Sequence, residues 1–109
     1  MTKVDVFKLV SEHLGTYRQQ MIDLQRELVA RNAVGPDHGG PGEGEKAAYL
    51  MHLLRGWGLQ VDNFPAPDER VKGGERPNLV AWVPGMRPEK TWVLSHMDVV
   101  PPGDMALWD

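Results

Sequence analysis

Proline and glycine cut this chain into pieces, and where they fall decides what each piece can become. The 109 residues include 12 Gly and 9 Pro, and they cluster rather than spread. Residues 35–44 read GPDHGGPGEG and residues 65–77 read PAPDERVKGGERP, followed by Pro84-Gly85 to Pro88 and by Pro101-Pro102-Gly103. Proline fixes φ and lacks an N–H, and glycine supplies the left-handed dihedrals of turns, so each cluster reads as a loop. One long uninterrupted stretch precedes them and only short stretches lie between them. The length leaves room for one small domain.

The uninterrupted stretch, residues 4–31, carries Val10, Leu14, Tyr17, Met21, Leu24 and Leu28 at steps of 4, 3, 4, 3 and 4. That spacing draws one apolar face on a helix. Thr2 and Asp5 are both candidate caps for its start. Gly15-Thr16 is a weak point at which the helix can bend or split. The heptad-like spacing runs for only about three repeats, which favours a face packed on a core over a coiled coil. A second helix is expected from Gly44 to Arg55, with Glu43 and Glu45 at the positive end of its dipole. Its buried face would be Ala47, Leu50, Leu53, Leu54 and Trp57, and Gly56 and Gly58 would stop it.

Three strand candidates follow: Leu59 to Phe64, Asn78 to Val83 and Trp92 to Ser95, the last with room to run on to His96. The second and third are nearly continuous apolar runs, which suits strands covered on both faces. The loop PGMRPEK between them is of hairpin length, so this pair is expected to be antiparallel. Two helices followed by about three strands predict an α/β class with a mixed sheet. They are too few to complete a doubly covered sheet, so the 109 residues are expected to be the front part of a longer protein, or to be completed by another chain.

Composition removes several function classes. Twelve Lys and Arg against fifteen Asp and Glu leave a formal charge of -3, against the cationic surplus that phosphate backbones require, so no nucleic-acid partner is expected. No polybasic patch, spanning apolar run or signal-peptide pattern is present, which predicts a cytoplasmic protein with no membrane partner. With no cysteine, disulfides, thiolate zinc sites and thiol nucleophiles are excluded. The chemistry then rests on His, Asp, Glu and backbone.

The informative run is Ser95-His96-Met97-Asp98-Val99-Val100-Pro101-Pro102-Gly103-Asp104. In an extended chain residues two apart point the same way, so His96 and Asp98 share a side where a strand gives way to a loop. Ligands bind at strand ends in α/β sheets. A neutral imidazole is a good zinc ligand, and a neighbouring carboxylate can fix its tautomer and raise its basicity. The tripeptide alone is weak, and a polar pair that hydrogen-bonds the next loop is the structural alternative.

The longer run SHMDVVPPGDMALW resembles the signature of the zinc-dependent aminoacylase/desuccinylase family of metallopeptidases. This family includes acetylornithine deacetylase, succinyl-diaminopimelate desuccinylase and glutamate-releasing carboxypeptidases. The matching residues are Ser95, His96, Asp98, Val99, Val100, Pro101, Gly103, Asp104 and Trp108. GGPGEGEKAAYL, the APDER segment at 66–70 and RPNLVAWVPG at 76–85 fit the same family in order, so the resemblance covers most of the chain from about residue 20.

The resemblance implies that His96 is a metal ligand and that Asp98 is the catalytic carboxylate supporting it. It implies hydrolysis of an amide bond in an N-acyl amino acid or peptide. Two divalent ions, zinc or alternatively cobalt, would activate the attacking water. It also implies a catalytic domain, of which residues 1–109 are the N-terminal part, with an inserted domain through which the full-length protein forms a homodimer. The family's remaining ligands and general base have no counterpart here. A catalytic zinc takes about three protein ligands, so the 109 residues alone are not expected to turn over substrate.

Other residues read more plainly. His38 is a loop surface histidine, and His13 and His52 lie off the apolar stripes of their helices. The Gly-rich loop GGPGEGEK follows a helix rather than a strand, and Ala47 stands where a phosphate loop needs Ser or Thr, so nucleotide binding is not expected. Asp104 would organise the loop it occupies, and Trp57, Trp82, Trp92 and Trp108 would pack in the core. The alternative to an enzyme is a non-enzymatic α/β interaction module, or a truncated relic, with helix 4–31 as the interface.

Overall fold

The computed structural model describes residues 2–109. They form an α/β chain of three α-helices and two two-stranded antiparallel sheets. Two compact units divide it, one reaching to Arg31 and the other running from Asn32 to Asp109.

The first unit holds α1 (Lys3–Gly15) and α2 (Arg18–Ala30). Thr2 is the cap of α1. Its hydroxyl accepts from the Asp5 amide at 3.1 Å, and the Asp5 carboxylate accepts from the Thr2 amide at 2.9 Å. This reciprocal capping box satisfies two otherwise orphaned donors. The expected weak point does divide the helix. Around it the amides of Thr16 and Tyr17 bond back three residues, to His13 and Leu14, a local tightening of the kind that often ends an α-helix. The Thr16 hydroxyl adds a bond to the His13 carbonyl at 2.7 Å. Sequence periodicity predicted a stripe packed on a core. Instead Val10, Leu14, Tyr17 and Met21 are exposed, only Leu24 and Leu28 are half-buried, and neither helix has a buried residue. Periodicity reports that a face is apolar; what covers the face is not encoded in it.

The second unit is built on α3 (Gly44–Gly56) and a β-ribbon. Helix α3 ends as its glycines require. Gly58 takes φ 81°, its amide bonds to the Arg55 carbonyl, and that of Leu59 bonds to the Leu54 carbonyl, the Schellman arrangement that a left-handed residue permits. Trp57 lies at the cap where the chain leaves the helix, and its ring is exposed rather than packed. Of the expected helix face Ala47 is buried, while Leu50, Leu53 and Leu54 are half-buried.

The ribbon consists of β1 (Gln60–Asn63), β2 (Ala66–Pro67), β3 (Glu75–Arg76) and β4 (Leu79–Trp82). Strand β1 pairs antiparallel with β4, Val61 opposite Ala81, and β2 pairs with β3. The two ladders are nested and interrupted at Pro65 and Pro77, which lack the donor a ladder needs. Asn63 and Asn78 stitch the gap. The Asn78 side chain donates to the Phe64 carbonyl and its backbone amide to the Asn63 side chain, each at 3.1 Å. Helix α3 packs on β1 and β4, and Arg55 donates to the Val61 carbonyl at 2.9 Å. The core of the described residues is small: Ala33, Ala47, Val61 and Val71.

Two expectations are corrected here. The run at 92–95 is not a strand, and the antiparallel partner of β4 is β1. Val93 and Leu94 are 89% and 90% exposed, because an extended segment becomes a covered strand only beside a neighbour that takes its backbone bonds. Trp92 does lean edge-on against Trp82, with ring centroids 6.0 Å apart, and Lys90 sits over the Trp82 ring. Trp82 is half-buried, whereas Trp92 and Trp108 are exposed.

The segment that continues to His96 and Asp98 is tied down at Val99. Its amide donates to the Ala33 carbonyl at 2.9 Å, and its carbonyl accepts from Gly35 at 3.3 Å, a single parallel bridge with Val34. On the other side the Val34 carbonyl accepts from Gly42 at 2.9 Å. That approach excludes a side chain at Gly40, where a Cβ would lie 2.1 Å from the Val34 oxygen. Gly40→Ala is therefore expected to destabilise the second unit by about 1–3 kcal/mol. Val61→Ala, which removes two buried methyl groups, should cost about 2 kcal/mol. Denaturant midpoints of the two variants check both values.

Candidate metal centre

His96 and Asp98 meet on the segment held by Val99. The His96 Nδ1 lies 2.9 Å from the Asp98 main-chain oxygen and 3.3 Å from its carboxylate Oδ1. A carbonyl oxygen only accepts, so in this contact Nδ1 carries the proton. In the neutral imidazole the lone pair is then on Nε2. The His96 side chain is 84% exposed, which leaves that lone pair open to a ligand. A histidine that binds metal through one nitrogen commonly donates from the other to a carboxylate or backbone carbonyl, and here both acceptors come from one residue.

Behind Asp98 stands a chain of charges. Arg76, at the end of β3, has Nη2 3.9 Å from Asp98 Oδ2. The same guanidinium grips Glu43, with Nε donating to Oε1 at 3.0 Å and Nη2 to Oε2 at 3.1 Å. Glu43, at the N-cap position of α3, has a side chain only 8% exposed, and that of Arg76 is 25% exposed. A buried carboxylate needs such a partner, and the two-pronged bond is the strong form of it. Arg76 Nη1 also lies 3.9 Å from Asp68 Oδ2. Asp68 accepts from the Arg70 backbone amide, Nε and Nη2 at 3.1, 2.9 and 2.8 Å, and Arg70 reaches on to Asp37. These bonds to Arg70 hold the Asp68 carboxyl well below its ordinary range, at about 2, with Arg76 adding to the effect. The Arg76 guanidinium is pushed further up, chiefly by its bond to Glu43.

Three stretches that carry the family resemblance thus converge, for Glu43 comes from the Gly-rich loop, Asp68 and Arg70 from APDER, and Arg76 opens RPNLVAWVPG. Sequence reasoning assigned none of these four residues a role at the site. Glu43 and Arg76 are 33 positions apart, and nothing local marks either as buried. The signal available was that charged residues sat inside Gly- and Pro-rich loops without the alternation of a solvated face.

Other expected residues stay apart. His13, on α1, bonds to Tyr17 beyond its end, and His38 and His52 are exposed. Asp104 accepts from the Ala106 amide at 2.9 Å and caps the short turn Met105–Leu107, and Trp108 donates to the Pro102 carbonyl at 3.0 Å. Among the described residues no group of three or more His, Asp or Glu side chains converges on one point. His96 Nε2 is thus a lone imidazole donor, fitted by its tautomer and exposure to one position of a metal shell.

No family model and no solved structure matches the chain. Two curated relatives do. The chain is 34% identical over 95 residues to an uncharacterized metallohydrolase of Methanocaldococcus jannaschii, which is 83% of this chain and 23% of the relative. It is 32% identical over 97 residues to an uncharacterized metallohydrolase of Methanococcus maripaludis, again 83% of this chain and 23% of that protein. The chain therefore spans about a quarter of the length of these relatives.

The charge chain has a signature in acid. Asp68 is ordinarily half-protonated near pH 3.8 and in the folded protein only near about 2. A depressed carboxylate stabilises the fold fully above its ordinary value and loses that contribution as pH falls through the folded one. Thermal stability is expected to drop between about pH 4 and pH 2, and Asp68→Asn should flatten that drop. Melting curves across this range check it.

Proposed function

We propose that this chain is part of a metal-dependent hydrolase, with His96 as a metal ligand through Nε2 and Asp98 as the carboxylate that supports it. The observation that carries the reading is the His96–Asp98 geometry: one nitrogen is occupied by Asp98 and the other is open. The metallohydrolase name of both relatives supports the same class.

In its finer form, the reaction is hydrolysis of an amide bond in an N-acyl amino acid or peptide, with two divalent ions, zinc or cobalt. A bound ion supplies Lewis acidity, which polarises a carbonyl and acidifies water. The residues of this chain prepare its ligand. The Asp98 carbonyl and carboxylate hold the Nδ1 proton, which fixes the tautomer and makes Nε2 the more basic donor. A catalytic zinc takes about three protein ligands and His96 supplies one, so turnover draws on further donors outside the described residues. We further propose a homodimeric, cytoplasmic full-length protein acting as this deacylase. No described helix is long and apolar enough to cross a membrane.

His96→Ala in the full-length protein is expected to lose bound zinc and abolish turnover of N-acyl amino acids. Asp98→Ala should weaken zinc binding by about 10–100-fold. Metal analysis of the purified variants, with an amide-hydrolysis assay, checks both. Wild-type zinc content in His96→Ala would overturn the reading.

The exposed stripe Val10, Leu14 and Met21 favours a second reading, an interaction module in which α1 and α2 form the interface. That reading expects His96→Ala to be silent and substitutions of the stripe to change assembly, which sedimentation measures.

A further inference from the structure

The charge chain has a direction. Asp98 offers two carboxylate oxygens, and different groups address them: His96 Nδ1 lies 3.3 Å from Oδ1 and Arg76 Nη2 lies 3.9 Å from Oδ2. The Asp98 side chain is itself half-exposed, so burial does not hold its orientation. Its backbone is fixed one residue on, at the Val99 bridge, but that bridge leaves the carboxylate free to turn. Arg76 is not free. Glu43 holds its guanidinium in a two-pronged bond with 8% of the carboxylate side chain exposed.

From this we infer that Arg76, anchored by Glu43, is a positioning residue that orients the Asp98 carboxylate toward the Nδ1 proton of His96. This rests on His96 being a metal ligand and names the group behind it. Arg76 attracts one oxygen of Asp98 from the protein side, so the other stays turned to the imidazole. Geometry suits arginine rather than lysine, because a planar fork addresses two carboxylates at once while an ammonium is a single point of charge. Nη2 is the shared nitrogen, 3.1 Å from Glu43 and 3.9 Å from Asp98. The contact with Asp98 is an ion pair without a hydrogen bond, so its effect is orientation and not rigid fixation.

The test measures zinc affinity by chelator competition on the full-length protein, alongside the melting temperature of the metal-free form. Arg76→Gln is expected to weaken zinc binding by about tenfold, the lower end of what loss of Asp98, the histidine's own partner, would cost. Arg76→Lys keeps the charge against Glu43 and the fold, and is expected to weaken binding severalfold, between wild type and Arg76→Gln. Val61→Ala lowers the melting temperature at a buried site of the ribbon and is expected to leave zinc affinity unchanged, which separates positioning from general destabilisation. If Arg76→Gln does not fold, Arg76→Lys carries the test. Wild-type affinity in Arg76→Lys or Arg76→Gln, with His96→Ala still losing zinc, would overturn the role of Arg76 and leave the metal ligand standing. An equal loss in Val61→Ala would overturn it as well. Wild-type zinc in His96→Ala would instead overturn the metal-ligand reading on which it rests.

Discussion

The ion pair between Arg76 and Glu43 joins the two halves of the second unit. Glu43 opens α3 and Arg76 closes β3, so the bond fastens the ribbon to the positive end of the helix. Its carboxylate is nearly buried. Removing Arg76 would leave the Glu43 carboxylate largely buried and uncompensated, which is destabilising. The apolar core cannot easily replace that tie. It comprises two alanines and two valines, and no large side chain is fully enclosed among the described residues. Polar bonds add to this small core: the asparagine stitch at the ladder break, Arg55 on the Val61 carbonyl, and the Arg76 fork.

The same residues that organise the ribbon also face the candidate site. Arg76 lies between a structural carboxylate, Glu43, and a candidate functional one, Asp98. Asp68 and Arg70 extend the alternation of charge toward the surface at Asp37. The link between Arg76 and the buried Glu43 is the hydrogen-bonded, two-pronged one, and it leaves that carboxylate paired. Segment 96–99 hangs on this frame by the backbone bridge to Val34 and by the reach of Arg76. His96, at the exposed end, is the group with least to hold it except Asp98.

Much of the local structure was legible. Gly56 and Gly58 announced the end of α3, Thr2 and Asp5 the start of α1, and Gly15-Thr16 the division of the first helical stretch, because caps and breakers act within a few residues. His96 and Asp98 were legible as neighbours for the same reason, since two residues apart on an extended chain they share a side. The runs at 60–63 and 79–82 were legible as strands. Their pairing was not. The hairpin-length loop after Val83 suggested Trp92 to Ser95 as the partner of β4, whereas β1 holds that place across the nested β2–β3 ladder. Pairing depends on which edges meet in space, and a loop of suitable length permits a hairpin without compelling it.

Sequence alone determined the α/β class, the positions of the caps and turns, and the pair of residues on which a metal reading rests. Each follows from what a residue type can do by itself or to its near neighbours. Only the tertiary structure decided that Glu43, Asp68, Arg70 and Arg76 form one chain of charge ending at Asp98. It also decided that the apolar run at Trp92–Leu94 lies exposed and that Val99 closes on Val34. Those outcomes depend on contacts between residues tens of positions apart, and the free energy of such a contact exists only once both partners have been brought together.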